Sequence, residues 1–151
     1  MTPVVGLNQT GNGDARIPDV PLMNPNFKGN PILGVDGFKT TSRYFDPNAF
    51  LLPATGTFGD VARGRFTGPG FWNLDMSFFK KIPVTEKVSL QFRAEAFNIL
   101  NHANFQNPST TGGGIVVFDT SDPSKYAGSA GTITETANRE RQIQFALRLE
   151  F

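Results

Sequence analysis

The sequence predicts an all-β fold made of long antiparallel strands. The first observation is that residues 141–151 alternate between apolar and polar side chains, as expected where successive side chains point to opposite faces of a strand. The second is that two earlier runs, 72–80 and 88–97, alternate in the same way and are separated only by the short connection 82–87. The third is composition, because 15 Phe, 16 Gly and 11 Pro among 151 residues are typical of aromatic-rich strands joined by turns.

The closing strand, 141–151, has the length and the pattern of a strand that crosses a membrane. A tilted transmembrane strand needs roughly 9–11 residues, whereas a strand of an ordinary globular protein averages about 5–6 residues. The strand also ends on the aromatic Phe151, as the last strands of bacterial outer-membrane β-barrels commonly do. Its apolar face consists of Ile143, Phe145, Leu147, Leu149 and Phe151, and its other face of Gln142, Gln144, Ala146, Arg148 and Glu150.

The two earlier strands are predicted to form an antiparallel hairpin, and 88–97 is expected to pair with the closing strand as well. Pro83 has no N–H to give to a ladder, so it is assigned to the connection between the two hairpin strands. The shared apolar surface is predicted to contain Trp72, Leu74, Met76, Phe78, Val88, Leu90, Phe92, Phe145, Leu147 and Leu149. The opposite surface carries Gln144 together with three residues expected to face the lumen of a barrel, Arg93, Glu95 and Arg148.

Connection lengths divide the chain into a mostly extracellular loop region, 1–71, and the last three barrel strands, 72–151. Residues 1–71 show almost no sustained alternation, and a long loop at 99–138 separates the last two strands. Outer-membrane barrels alternate short periplasmic turns with long extracellular loops. If Phe151 ends on the periplasmic side, the connection 82–87 is periplasmic too, and both long segments are extracellular.

A soluble sheet with one wet face gives the same alternation, so a second interpretation stays open. In that interpretation the chain is a soluble all-β binding module, such as a carbohydrate-binding sandwich. Strand length, the alternation of short and long connections and the terminal Phe151 favour the barrel. Phe71 and Trp72 fit either an interfacial aromatic girdle or a set of core aromatics.

Composition and charge exclude several other classes of protein. A net charge of +1 with no basic stripe gives no reason to expect nucleic acid as a partner. The absence of cysteine excludes disulfides and thiolate metal sites. No window approaches about 18 consecutive apolar residues, and no signal-peptide pattern opens the chain. We therefore expect the chain to be the tail of a longer protein.

Patterns that would indicate an enzyme, a cofactor or a metal are weak. His102 is the only histidine and lies in an Asn-rich loop, where we expect a structural role rather than a catalytic one. Asp119 and Asp122 lack the spacing of a calcium loop. The glycines at 112–114 neither follow a clear strand nor open a helix, as a phosphate-binding loop would. We expect no catalytic, cofactor or metal site, and therefore no enzyme.

Several long runs resemble the C-terminal part of TonB-dependent receptors, in particular the Oar-like receptors that carry a carboxypeptidase-regulatory-like domain. Residues 65–75 (RFTGPGFWNLD) resemble the "RGPGFWNLD" run of these receptors. Residues 88–98 (VSLQFRAEAFN) and 101–105 (NHANF) resemble their "LQFRAEAFN…NHPNF" segment. Residues 141–151 are similar to their closing strand, and 44–50 (YFDPNAF) resemble their upstream "YFNPAAF" loop.

The resemblance covers 40–151 well and 1–39 loosely, and it implies a bacterial outer-membrane protein in contact with lipid. Such receptors also have a signal sequence, a regulatory-like domain, a plug and a larger barrel, so TonB is reached only through a plug domain absent here. Three or four strands cannot close a barrel, and an open edge is not tolerated in lipid. The chain is therefore expected to be a fragment, a truncated gene product or a degenerate copy. Its transported substrate is not identified by this segment.

The resemblance also implies a role for the closing strand in assembly. The barrel-assembly machinery is expected to read a terminal strand that ends on an aromatic residue. The residues of this assembly signal are Phe145, Leu147, Leu149 and Phe151. Recognition of this kind is strand addition, in which backbone hydrogen bonds supply affinity and alternate side chains fill pockets.

Overall fold

The computed structural model describes residues 1–13, 16–108 and 115–151. They divide into two compact units. The loop unit consists of Met1–Pro69 and Phe105–Glu135, and the sheet unit consists of Gly70–Asn104 and Thr136–Phe151.

The loop unit has little regular structure. Strand β1 (Leu22–Met23) pairs in antiparallel fashion with strand β2 (Phe50–Leu51). Helix α1 (Gly34–Thr41) and a 3-10 helix (Pro47–Ala49) lie between them in sequence. The sequence did not predict α1, which has no side-chain hydrogen bond at its N-terminus and contains two glycines. Both features weaken the local signal for a helix.

The loop unit nevertheless has its own hydrophobic core. Its centre is formed by the fully buried Val5, Phe45, Phe50 and Val117. Phe50 contacts Phe45 edge to face at a centroid distance of 5.7 Å, and it contacts Phe66 in the same way at 5.9 Å. Segments far apart in sequence therefore pack together. The region expected to consist of loops is a packed unit, although no strand or helix supplies most of its core.

Gly131 shows how closely the backbone segments of the loop unit approach one another. Its carbonyl accepts a hydrogen bond of 2.7 Å from the N–H of Tyr44. Its φ is +79°, and a Cβ atom placed there would lie 2.7 Å from the carbonyl oxygen of Phe45. Only glycine meets both conditions without strain.

The sheet unit is a three-stranded antiparallel sheet. Its strands are β3 (Met76–Pro83), β4 (Ser89–Phe97) and β5 (Gln142–Glu150), in the order β3-β4-β5. The predicted pairing of the central strand with both of its neighbours is confirmed. The predicted bounds of β4 and β5 are also confirmed, to within one residue at each end.

The bounds predicted for the first strand were wrong. Strand β3 begins four residues later than position 72 and runs on to Pro83, so the turn comprises residues 84–88. Pro83 closes the strand opposite Ser89, at a strand end where a missing N–H is tolerated. At the other end of the strand, the side chain of Asn104 holds the backbone of Trp72. The Asn104 side-chain oxygen accepts a hydrogen bond of 2.9 Å from the Trp72 N–H, and the Asn104 amide group donates one of 2.8 Å to the Trp72 carbonyl. Those backbone groups therefore take no part in a ladder.

The register defines two faces of the sheet, because directly paired residues of an antiparallel sheet share a face. The apolar face contains Met76, Phe78, Lys80, Ile82, Leu90, Phe92, Ala94, Ala96, Ile143, Phe145, Leu147 and Leu149. The polar face contains Ser77, Phe79, Lys81, Pro83, Ser89, Gln91, Arg93, Glu95, Phe97, Gln142, Gln144, Ala146, Arg148 and Glu150. The predicted division of side chains is confirmed within the strands. Trp72, Leu74 and Val88 lie outside the strands, so the register does not assign them to a face.

Candidate membrane-spanning sheet

The apolar face of the sheet is exposed to solvent when the chain is considered without partners. Phe145 is 70% exposed and Leu147 67% exposed, although both are large hydrophobic side chains in the middle of a strand. The Phe92 and Phe145 rings stack with centroids 6.2 Å apart, so the surface is continuous across β4 and β5. Contiguous apolar surfaces of this kind mark a partner, which for a sheet can be a second protein layer or lipid.

The polar face carries a network of charged side chains. Lys81 forms an ion pair of 2.6 Å with Glu150 across the sheet, and Arg148 lies 3.7 Å from the same carboxylate group. Arg93 lies 3.6 Å from Glu95, which also accepts a hydrogen bond from the Gln144 amide. The structure therefore brings the predicted lumen residues Arg93, Glu95 and Arg148 onto one face, in two separate groups. Whether that face lines a lumen stays a prediction.

Two aromatic residues of the polar face were missed in the sequence. Phe79 lies opposite Arg93, and Phe97 lies opposite Gln142 at the end of β4. Phe79 is 68% exposed. The sequence signal for an aromatic residue on the polar face was the run Phe78-Phe79-Lys80-Lys81, in which one phenylalanine and one lysine fall on each face.

The residues expected to form the assembly signal lie where the alternation places them. Phe145, Leu147 and Leu149 share the apolar face, and Phe151 follows β5 directly and is 94% exposed. Among the described residues, β5 pairs only with β4. Its outer edge therefore presents free backbone donors and acceptors, which is the feature that strand addition requires.

Asparagine side chains organise the end of the sheet opposite the 84–88 turn. Asn98, which is 5% exposed and has a φ of 48°, donates to the carbonyls of His102 and Arg139 at 3.1 and 3.0 Å. The His102 ring packs on Trp72 with a centroid distance of 4.3 Å. Both the ring and the backbone of His102 thus have structural contacts. Whether Trp72 belongs to an interfacial girdle stays a prediction.

Two acidic residues of the loop unit, Asp119 and Asp122, have local partners. The Asp122 carboxylate pairs with Lys125 at 2.7 Å and accepts a hydrogen bond from the Ser124 hydroxyl at 2.5 Å, and these contacts lower its pKa. The Asp119 carboxylate accepts the N–H of Ser121 at 2.7 Å. Within the described ranges, no three His, Asp or Glu side chains group as metal ligands would. The glycines at 112–114 lie outside the described residues.

The helices in the described part of the chain are too short or too polar to cross a membrane. The exposed apolar face, the charged opposite face and the strand lengths together define a wall segment of a transmembrane β-barrel.

Comparison with known families agrees with this class: a family described as "outer membrane beta barrel domain" matches residues 1–144, and the chain belongs to that family. The protein is therefore a bacterial outer-membrane protein, which decides against the soluble binding module. The match includes most of both units and ends within β5. Searches of curated proteins and of solved structures find no match to this chain.

Proposed function

We propose that the chain supplies wall strands and extracellular loops of a TonB-dependent receptor that takes up a substrate across the outer membrane. The observation that carries this proposal is the two-faced sheet, found in a chain of the outer membrane beta barrel domain family. The resemblance of residues 65–75 and 88–105 to Oar-like receptors supports the narrower class. In this proposal the protein is not an enzyme and needs no cofactor.

Under this proposal the apolar face contacts lipid and the polar face lines the lumen. An unpaired lysine or arginine at the midplane of a lipid-facing surface costs about 2–4 kcal/mol, whereas a lumen accepts ion-paired charges such as Lys81 with Glu150. The network on the polar face would lose its solvent if that face were turned to lipid. TonB acts through a plug domain and does not contact this sheet.

In this proposal the 84–88 turn lies in the periplasm, and the two long segments lie outside the cell. The turn is tight, because the N–H groups of Val84 and Thr85 both donate to the carbonyl of Val88, at 2.9 and 3.0 Å. Short turns of this kind occur on the periplasmic side of outer-membrane barrels. Since the chain has no cysteine, Lys87→Cys and Thr134→Cys each introduce one labelling site into it. A membrane-impermeant maleimide should label position 134 but not position 87 in intact cells.

The experiment that tests the receptor class uses protein extracted from outer membranes. We expect an assembled barrel whose electrophoretic mobility changes on heating, and which is captured by the purified periplasmic domain of TonB. If the protein forms a heat-modifiable barrel that TonB never captures, the assignment to outer-membrane barrels stands but the TonB-dependent class is overturned. A chain that fractionates without membrane would overturn the whole proposal.

Assembly is proposed to depend on the open edge of β5 and on Phe151. Deleting Phe151 should sharply lower the amount of heat-modifiable barrel and cause unfolded chain to accumulate in the periplasm. Deleting Phe71, an aromatic residue outside the strands, serves as the control. Undiminished assembly without Phe151 would show that this residue only packs at a strand end.

A further inference from the structure

Lys80 is the single charged side chain on the apolar face of the described strands. It lies opposite Phe92, which in turn lies opposite Leu147. Phe78 and Ile82 flank it on its own strand and face. A lysine in this setting is surrounded by the side chains that are proposed to contact lipid.

The neighbouring lysine provides a matched comparison. Lys81 points to the opposite face, and its ammonium group pairs with Glu150 at 2.6 Å. No ion pair or side-chain hydrogen bond among the described residues involves the ammonium group of Lys80. The hairpin therefore presents two adjacent lysines to opposite sides of the sheet, one with an internal partner and one without.

The position of Lys80 along the strand fixes the depth at which its charge lies. It is three residues from Pro83, the end of β3, which corresponds to a depth of about 8 Å for a strand tilted by roughly 40°. A lysine on a lipid face extends its flexible four-carbon stem toward the nearer interface and keeps its charge there. The nearer interface is the one beside the 84–88 turn.

We propose that Lys80 anchors the hairpin by pairing with the phosphate groups of phospholipid headgroups in the leaflet beside the 84–88 turn. The inference rests on the proposed function, because it requires the apolar face to contact lipid. A phosphate supplies the opposite charge and several acceptor oxygens, which together offset the loss of water around an ammonium group. Lipid phosphate is the acceptor that the barrel meets at the interface toward which the Lys80 stem extends.

Site-specific labelling tests the contact. Lys80→Cys and Lys81→Cys barrels are alkylated in the unfolded state with carbon-13-labelled bromoethylamine, which restores an ammonium side chain at the chosen position. After folding into phosphatidylglycerol vesicles, dephasing of the carbon-13 signal by lipid phosphorus reports proximity to phosphate. We expect at least twofold greater dephasing at position 80 than at position 81, and loss of that difference when the label is neutral iodoacetamide.

Equal dephasing at the two positions in a heat-modifiable barrel would overturn the anchoring role and leave the barrel assignment intact. That result would also be obtained if a carboxylate of an adjoining strand held Lys80. Failure of the unsubstituted protein, together with the strands that complete its barrel, to insert into vesicles would overturn both inferences. Lys80→Arg controls for misfolding, because it keeps the charge and should fold with the same yield as the unsubstituted protein.

Discussion

Replacing Phe145 by arginine tests the assignment of faces most directly. Phe145 is five residues from Glu150, the end of β5, so its depth is about 13 Å, or half of an apolar band roughly 25 Å tall. Arginine at the midplane of a lipid face costs about 2–4 kcal/mol of folding free energy. Phe145→Arg should therefore destabilise the barrel by about that amount, and further through loss of the stacking with Phe92.

Gln144→Arg is the matched control, because it lies one residue away on the polar face. There the new guanidinium would lie beside Glu95, which already accepts a hydrogen bond from the Gln144 amide, so we expect a change below about 1 kcal/mol. Phe145→Leu separates loss of the ring from gain of charge.

The assay is urea unfolding of barrels folded into phosphatidylcholine vesicles, where no assembly machinery acts. Equal losses for Phe145→Arg and Gln144→Arg, or a larger loss for Gln144→Arg, would refute the lipid-facing assignment of the apolar face.

Three further predictions concern polar contacts and backbone conformation. Asn104→Ala leaves both backbone groups of Trp72 without their partner, so it should cost about 1–3 kcal/mol and shift the emission of this sole tryptophan to the red. Gly131→Ala should increase proteolysis of the loop unit, whereas Gly128→Ala, whose added Cβ meets nothing within 4 Å, should not. The pKa of Asp19 is raised by burial but lowered more by its hydrogen bonds, so the folded pKa lies below the ordinary value of 3.8. The stability that Asp19 contributes is complete above that value and is lost as the pH falls through the folded pKa. Protection of nearby amides from hydrogen exchange, measured relative to the intrinsic rate at each pH, should therefore fall at low pH in the unsubstituted protein and fall less in Asp19→Asn.

The strands and the division of their side chains between two faces were predictable because one side of each strand is apolar, with Lys80 as the one charged exception. A shift of one residue would turn Leu147 and Phe145 to the charged side, so the alternation determines which side of the sheet each residue faces but does not distinguish registers that differ by two residues. The start of β3 was not predictable in the same way. The contact that ends the ladder there joins Trp72 to Asn104, 32 residues away, and no local pattern reports it.

The core of the loop unit escaped prediction for a related reason. Its buried residues, such as Val5, Phe45 and Val117, are isolated positions in irregular segments, so they produce neither a two-residue nor a helical period. Lys80 was overlooked because the Phe-Phe-Lys-Lys run interrupts the alternation of apolar and polar residues. The two-residue period from Met76 and Phe78 nevertheless puts Lys80 on the apolar face, where it pairs with Phe92.

The two outer edges of the sheet determine what the assembled protein must contain. Among the described residues, β3 and β5 each have one unpaired edge, and these edges expose alternate N–H and carbonyl groups along the eight residues of β3 and the nine residues of β5. Each such group costs several kcal/mol when it is unsatisfied in hydrocarbon. That total exceeds the stability of a typical domain, about 5–15 kcal/mol, so the sheet cannot reside in lipid with its edges open. Further strands, from other copies of this chain or from a longer polypeptide, must therefore flank β3 and β5 wherever the apolar face meets lipid.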